Sequence, residues 1–166
     1  MSRGFVKEED QEEIPIVAPR ANLPFGVVNY VTNNGLEELK QEQNLLLEQQ
    51  KTLIEESNET NRVQINYITT KLSLLEDRIS SARIVDLSTQ PQNEIHFGAT
   101  ITLFKQEENC KCQYQIVGVD EANISLNKIS FLSPLAKVLR NKKVGDVIAL
   151  QTPMGKRNMN IELIEY

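Results

Sequence analysis

The chain has 166 residues, 18 Lys and Arg against 23 Asp and Glu, and a formal net charge of -5. With 40% hydrophobic residues, 5% aromatics and no Trp, it describes one or two small domains cored by Leu, Ile and Val, which excludes a disordered chain. No apolar run approaches the roughly 18 to 20 residues that span a bilayer, and the first ten residues hold no hydrophobic signal core, so a cytoplasmic protein with no membrane partner is expected.

The charge is unevenly spread. Residues 1–34 carry 3 basic and 5 acidic side chains, residues 35–84 carry 6 and 9, and residues 85–166 carry 9 of each. Lys and Arg drive non-specific affinity for phosphate backbones, so the acidic middle argues against that segment lying along nucleic acid.

Residues 1–31 begin with an acidic cluster, Glu8, Glu9, Asp10, Glu12 and Glu13, followed by Pro15, Pro19 and Pro24 among short apolar pieces. Proline holds itself and its predecessor extended, so an arm rather than a helix is expected. It is either free or packed along the rest of the protein through Ile14, Ile16, Val17, Leu23 and Phe25.

Residues 32–84 carry the clearest periodicity. Ile65, Ile68, Leu72, Leu75, Ile79 and Ala82 alternate spacings of three and four, a heptad seam. Leu36, Leu39, Leu46 and Leu53 form the partner seam, with Gln43 and Gln50 at intervening positions and Leu45 and Leu47 as further apolar contacts. Residues 55–61 between them hold no apolar side chain, and their Ser, Asn and Thr residues favour caps and turns. The pattern predicts an antiparallel coiled-coil hairpin with Thr32 as the first N-cap. Limbs of roughly 23 residues make it about 35 Å long at about 1.5 Å per residue. Outward positions are polar, so a projecting monomeric hairpin is expected over a pair buried in a bundle or a parallel dimer seam.

Residues 85–166 change period. Residues 96–104 and 113–119 are β-rich around a turn-like stretch at 106–109, and residues 129–132 follow. Ser133 and Pro134 open a short helix from Leu135 to Leu139, and residues 147–150 and 159–164 flank the turn signal Pro153, Met154, Gly155. A small antiparallel sheet with one helix is expected, making the whole chain α+β. Cys110 and Cys112 with the one histidine, His96, cannot supply the four ligands of a structural zinc site, so ordinary reduced thiols and no metal are expected. His96 has no acid or nucleophile at any motif spacing and is assigned no catalysis.

Several ordered strings carry a resemblance. They are Phe97-Gly98-Ala99-Thr100, Ile116-Val117-Gly118-Val119-Asp120-Glu121-Ala122, Ile129-Ser130-Phe131-Leu132-Ser133-Pro134-Leu135-Ala136, Val144-Gly145-Asp146, Thr152-Pro153-Met154-Gly155 and Ile164-Glu165-Tyr166. Tyr30-Val31-Thr32 with Gly35-Leu36-Glu37-Glu38-Leu39, and Ala82-Arg83-Ile84-Val85-Asp86, flank the hairpin. Over residues 29–166 the chain resembles the bacterial transcript-cleavage factor family, GreA and GreB.

The resemblance implies an FKBP-like C-terminal domain that docks on core RNA polymerase at the mouth of its secondary channel, and a coiled coil that enters it. It implies an accessory factor rather than an enzyme, meeting nucleic acid only through the polymerase. In that family two acidic tip residues help hold the polymerase's second magnesium ion and orient water. Carboxylates are hard-oxygen ligands, and a second metal stabilises the attacking and leaving oxygens. The chain would then have no cofactor of its own and share that magnesium.

The candidate tip carboxylates are Glu55, Glu56 and Glu59, and the candidate docking residues are Asp120, Glu121, Ser133, Pro134, Leu135 and Ala136. Ser-Pro is also ordinary chemistry for a helix start, and Asp120 and Glu121 also suit a strand end. Lys137, Arg140, Lys142, Lys143, Lys156 and Arg157 are either solvated cations or a basic patch for an acidic partner. The family's tip motif, D-L-x-E-N-A-E-Y, is absent, and the hairpin is about two heptads shorter in total, which takes about 10 Å from its reach. A factor that modulates elongation or backtracked complexes is therefore expected, with channel occupancy or competition favoured over magnesium-assisted cleavage. A prolyl isomerase is the alternative from another class, with Phe97, Phe104, Tyr114, Phe131 and Tyr166 as its available aromatics; a scaffold dimerising through its heptads is a third.

Overall fold

The computed structural model describes residues 15–56 and 61–166, so the acidic cluster at 8–13 and the candidate Glu59 lie outside the described residues. Asn33–Glu55 forms helix α1 and Asn61–Ser81 forms helix α2. Thr32 is extended and its hydroxyl accepts the Gly35 N–H at 2.9 Å, which satisfies one of the orphan donors of the first turn. Leu39, Leu46, Ile68 and Leu75 are buried between the helices, with Leu53, Leu72 and Ile79 packed against them.

The polar seam positions are paired across the hairpin. Gln43 Nε2 donates to Glu76 Oε2 at 2.6 Å, and Gln50 Nε2 donates to Thr69 Oγ1 at 2.8 Å. A slip of one helix along the other would break both bonds, so these rungs favour one register. Leu45 and Leu47, expected as further contacts, are instead about half exposed. They stand about 100° to either side of Leu46 on the helix and miss the narrow seam.

Asn29–Val31, strand β1, pairs in parallel with Ala82–Ile84, strand β2, and closes the base of the hairpin. Strands of three residues are too short to leave a period in the sequence. Asn29 Nδ2 also donates to the Arg78 carbonyl at 3.0 Å, covering a free acceptor at the end of α2.

The C-terminal part is a curled five-stranded sheet of β3 (Thr100–Lys105), β4 (Cys110–Val117), β5 (Lys128–Ser130), β6 (Val147–Thr152) and β7 (Gly155–Glu165), with helix α3 (Pro134–Leu139). The strand order is β5-β4-β3-β7-β6. This corrects the wholly antiparallel expectation, because β5 lies parallel to β4. The connection at 118–127 is long enough to carry the chain back to the same end of the sheet, which a tight turn cannot do. In β7, Glu162 is an extra residue between the partners of Thr102 and Leu103, and such a bulge bends the strand.

Ile95, Ile101, Leu103, Leu139, Ile148 and Ile161 form the centre of the core under α3. The Tyr166 hydroxyl accepts the His96 N–H at 2.8 Å and donates to the Glu94 carbonyl at 2.6 Å, tying the last residue to the strand entry. From residue 15 the expected arm runs without helix or strand to β1 and meets the joint between hairpin and sheet through Arg20. Of the apolar contacts expected for it, Val17 and Leu23 are half-buried, Ile16 and Phe25 are exposed, and Ile14 lies outside the described residues.

Candidate functional site

The predicted site residues fall in three places: the far end of the hairpin, its base, and the start of α3. At the far end, Glu55 closes α1 and Glu56 is its C-cap. Both are exposed, and among the described residues Glu55 pairs with Lys51 at 3.8 Å, in a pair open to water. The Asn61 side chain donates to the Leu53 carbonyl at 3.1 Å and draws the start of α2 over the end of α1. Carboxylates at a helix C-terminus face the negative end of the helix dipole, and the last turn of α1 holds no basic residue. Two acids placed there oppose local stability and stay open to a partner. Among the described residues, no three His, Cys, Asp or Glu side chains converge to hold a metal ion.

At the base the acids are enclosed. Glu121 is 7% exposed, yet both its oxygens are engaged. Thr32 Oγ1 donates to Oε2 at 2.6 Å, while Lys128 Nζ and Asn34 Nδ2 donate to Oε1 at 3.0 and 3.3 Å. Thr32 thus accepts from the first turn of α1 and donates to the sheet domain through one hydroxyl. Burial works against the Lys128 charge, but Glu121 and Glu38 outweigh it and hold the ammonium above its ordinary pKa.

A side-chain carbon at Gly35 would stand 2.5 Å from Glu121 Oε2, so only glycine lets the carboxylate approach the helix start this closely. Gly118 is similar, since a Cβ there would meet the Tyr30 carbonyl at 2.6 Å. Asp120 accepts from Arg20 Nε at 3.0 Å and faces Arg78 Nε at 3.4 Å. The two acids foreseen as partner contacts are therefore both committed within the chain, holding hairpin to sheet.

At the start of α3, Ser133 is the N-cap, its hydroxyl accepting the Ala136 N–H at 3.2 Å, and Pro134 occupies the first turn. Pro134 is exposed, Leu135 is half-buried against the core, and Ala136 lies within it. Beside them opens a cleft of about 340 Å³ lined by Tyr30, Ile95, Phe97, Ile116, Phe131 and Ala136, with His96 and Arg140 on its rim. The rings of Tyr30, Phe97 and Phe131 form a triangle with centroids 5.8 to 5.9 Å apart, two of the three contacts edge-on.

Phe97 and Phe131 are among the aromatics named from the sequence, but the Tyr30 contribution to this cleft carried no local signal, because the three walls come from the hairpin base, the entry to β3 and the turn before α3. The basic residues do not form one free patch: Lys143 pairs with Glu94 at 3.2 Å and Arg157 pairs with Glu108. Cys110 and Cys112 are free thiols, and burial raises the pKa of Cys112.

Fold and site together define a class of two-part protein, an acid-tipped helical hairpin mounted on a small β domain with an aromatic cleft. The family described as "Transcription elongation factor, GreA/GreB, C-term" matches residues 90–166. The transcription elongation factor GreA of Bartonella tribocorum is 41% identical over 96 residues, 58% of this chain and 61% of that protein. The GreA of Acidiphilium cryptum is 38% identical over 105 residues, covering 63% of this chain and 67% of the relative. The chain belongs to the GreA/GreB family of transcription elongation factors. Among solved structures, the GreA factor homolog 1 of Thermus thermophilus is similar at a TM-score of 0.39 and 25% identity, over 82% of this chain and 98% of that one. No helix among the described residues is long and apolar enough to cross a membrane.

Proposed function

We propose that the protein binds core RNA polymerase, docks through residues 85–166 and places the hairpin in the enzyme's secondary channel, where it modulates elongating or backtracked complexes. It acts as an accessory factor on the polymerase and meets nucleic acid only there. The observation that carries this reading is the pairing of a family match over the β domain with a hairpin whose far end presents the exposed carboxylates Glu55 and Glu56. At about 1.5 Å per residue, the 23 residues of α1 give a reach of about 34 Å.

Glu55 and Glu56 are the described acids at that end, and among the described residues neither has a buried partner that would aim it at a metal ion. A magnesium ligand must stand at about 2.1 Å from the ion, so occupancy of the channel, in competition with longer factors, is favoured over cleavage. Capture by core polymerase and crosslinking from residue 58 to the channel interior are the expected results. With backtracked complexes, binding without RNA shortening is expected. RNA shortening that disappears when Glu55, Glu56 and Glu59 are replaced by Ala would instead establish the reading in which these acids share the polymerase's magnesium. Pro134 and Leu135 stand where a docking partner can touch them, and Pro134→Glu is expected to weaken capture without unfolding the protein.

The cleft walled by Tyr30, Phe97 and Phe131 favours one reading of another class, a prolyl isomerase. A proline-peptide isomerisation assay decides it. No acceleration is expected, because Tyr30 belongs to the hairpin base and already packs against both other rings.

A further inference from the structure

Residues 15–28 cross the joint and touch both parts of the molecule. Arg20 is the centre of the contact. Its Nη1 and Nη2 donate to the two oxygens of Glu42, each at 3.0 Å, and its Nε donates to Asp120 Oδ1 at 3.0 Å. One guanidinium thus ties the arm to α1 and to the loop after β4. Arg78 of α2 faces the other Asp120 oxygen at 3.4 Å and donates to the Ala21 carbonyl, so the second helix joins the same node.

Arg20, Arg78 and Asp120 are shielded, with side-chain exposures of 19%, 14% and 7%, while Glu42 is more open at 37%. Ion pairs in open water hold little, but a forked guanidinium against a carboxylate restricts direction as well as distance. The arm itself is stiffened by Pro19 and Pro24, and a turn at Pro24 leads it into β1, with the Val27 N–H donating to the Pro24 carbonyl at 3.1 Å and Gly26 at φ 80°.

The position of Glu42 gives this node its leverage. The Thr32 and Asn34 contacts to Glu121, with Glu38 3.7 Å from Lys128, hold the start of α1, and Arg78 holds α2 near the same base. All of these attachments lie near one end of the rod, which can pivot there. Glu42 lies about 13 Å farther along the helix, so Arg20 supplies a second point of attachment. A swing of about 10° about the first turn would carry the far end of a helix of about 34 Å through about 6 Å.

We infer that residues 15–28 are a brace that sets the angle of the hairpin against the β domain, acting through the Arg20 fork between Glu42 and Asp120. The inference concerns the free protein and stands whether or not polymerase is the partner. Its test uses the full chain with Cys110→Ser and Cys112→Ser, and spin labels on Gln49→Cys and Ala149→Cys, one toward the far end of the hairpin and one on the sheet. Pulsed dipolar spectroscopy should give one narrow distance with Arg20 present.

Arg20→Ala should broaden that distance, as should Glu42→Gln, which takes the charge and one of the two acceptor oxygens from the second attachment and leaves Arg20 on Asp120. Arg20→Lys keeps the charge but cannot fork, so it should broaden the distance too, and it keeps the test open if Arg20→Ala fails to fold. Helical circular dichroism is expected to be unchanged in the lysine variant. A distance distribution equally narrow in Arg20→Lys and Glu42→Gln would overturn the brace.

Discussion

The two ends of the hairpin both carry acidic side chains, and they use them in opposite ways. At the base, Glu121 is enclosed and both of its oxygens have donors, while Asp120 lies between two arginines. At the far end, Glu55 and Glu56 are exposed beside a helix terminus whose dipole disfavours them. A carboxylate surrounded by donors is spent on holding the fold, whereas one left open is available to a second molecule. Acidic character alone therefore does not mark a contact site, and the surroundings of each acid decide its role.

Substitutions can break or sharpen that contrast. The largest expected effect is at the base of the seam, where Leu75 is wholly buried: Leu75→Ala should cost about 3 kcal/mol in urea unfolding, and Leu53→Ala nearer the far end about 1 kcal/mol. Equal costs would mean that both ends are packed alike. Glu121→Gln should cost about 2 kcal/mol, because Lys128 and Thr32 lose a charged acceptor in a shielded place.

Gly35→Ala tests the same contact by sign. Helix propensity alone would favour alanine by about 1 kcal/mol, but the clash with Glu121 should turn this into a loss of about 1 kcal/mol, read as a lowered melting temperature. A raised melting temperature would show that the carboxylate moves aside freely.

A smaller effect belongs to the β domain. Burial holds the Tyr166 phenol above its ordinary pKa, so the folded protein keeps this proton more tightly than the unfolded chain. The stability it contributes is whole below the ordinary tyrosine value of 10.0 and is lost as pH rises through the higher folded value. Tyr166→Phe should flatten that alkaline decline in thermal melts taken across the range. The smallest effect is at the far end, where Glu55→Gln with Glu56→Gln should move stability by less than about 0.5 kcal/mol, in the stabilising direction. A clear loss of stability there would mean that these acids are structural after all.

The hairpin was legible because its signals are local. The alternation of three and four at Ile65 to Ile79, the Thr32 cap and the polar stretch after Glu55 each lie within one turn or one heptad of the feature they specify. The same holds for Ser133 and Pro134 at the start of α3. The parallel β1–β2 pair, the parallel edge strand β5 and the aromatic cleft were not legible, since each joins stretches far apart in the chain. Asp120 and Glu121 stood out as an acid pair, but their partners Arg20 and Thr32 lie 100 and 89 residues away.

The amino-acid order by itself determined the two helices, the strand-rich half, the family strings and the acids at the far end, because periodicity, capping and turn chemistry act between near neighbours. Only the tertiary structure decided that Asp120 and Glu121 face inward, that Tyr30 completes a cleft in another segment, and that Arg20 spans arm, helix and sheet. The physical reason is that desolvation and ion pairing depend on distance in space, and folding sets that distance without regard to separation along the chain.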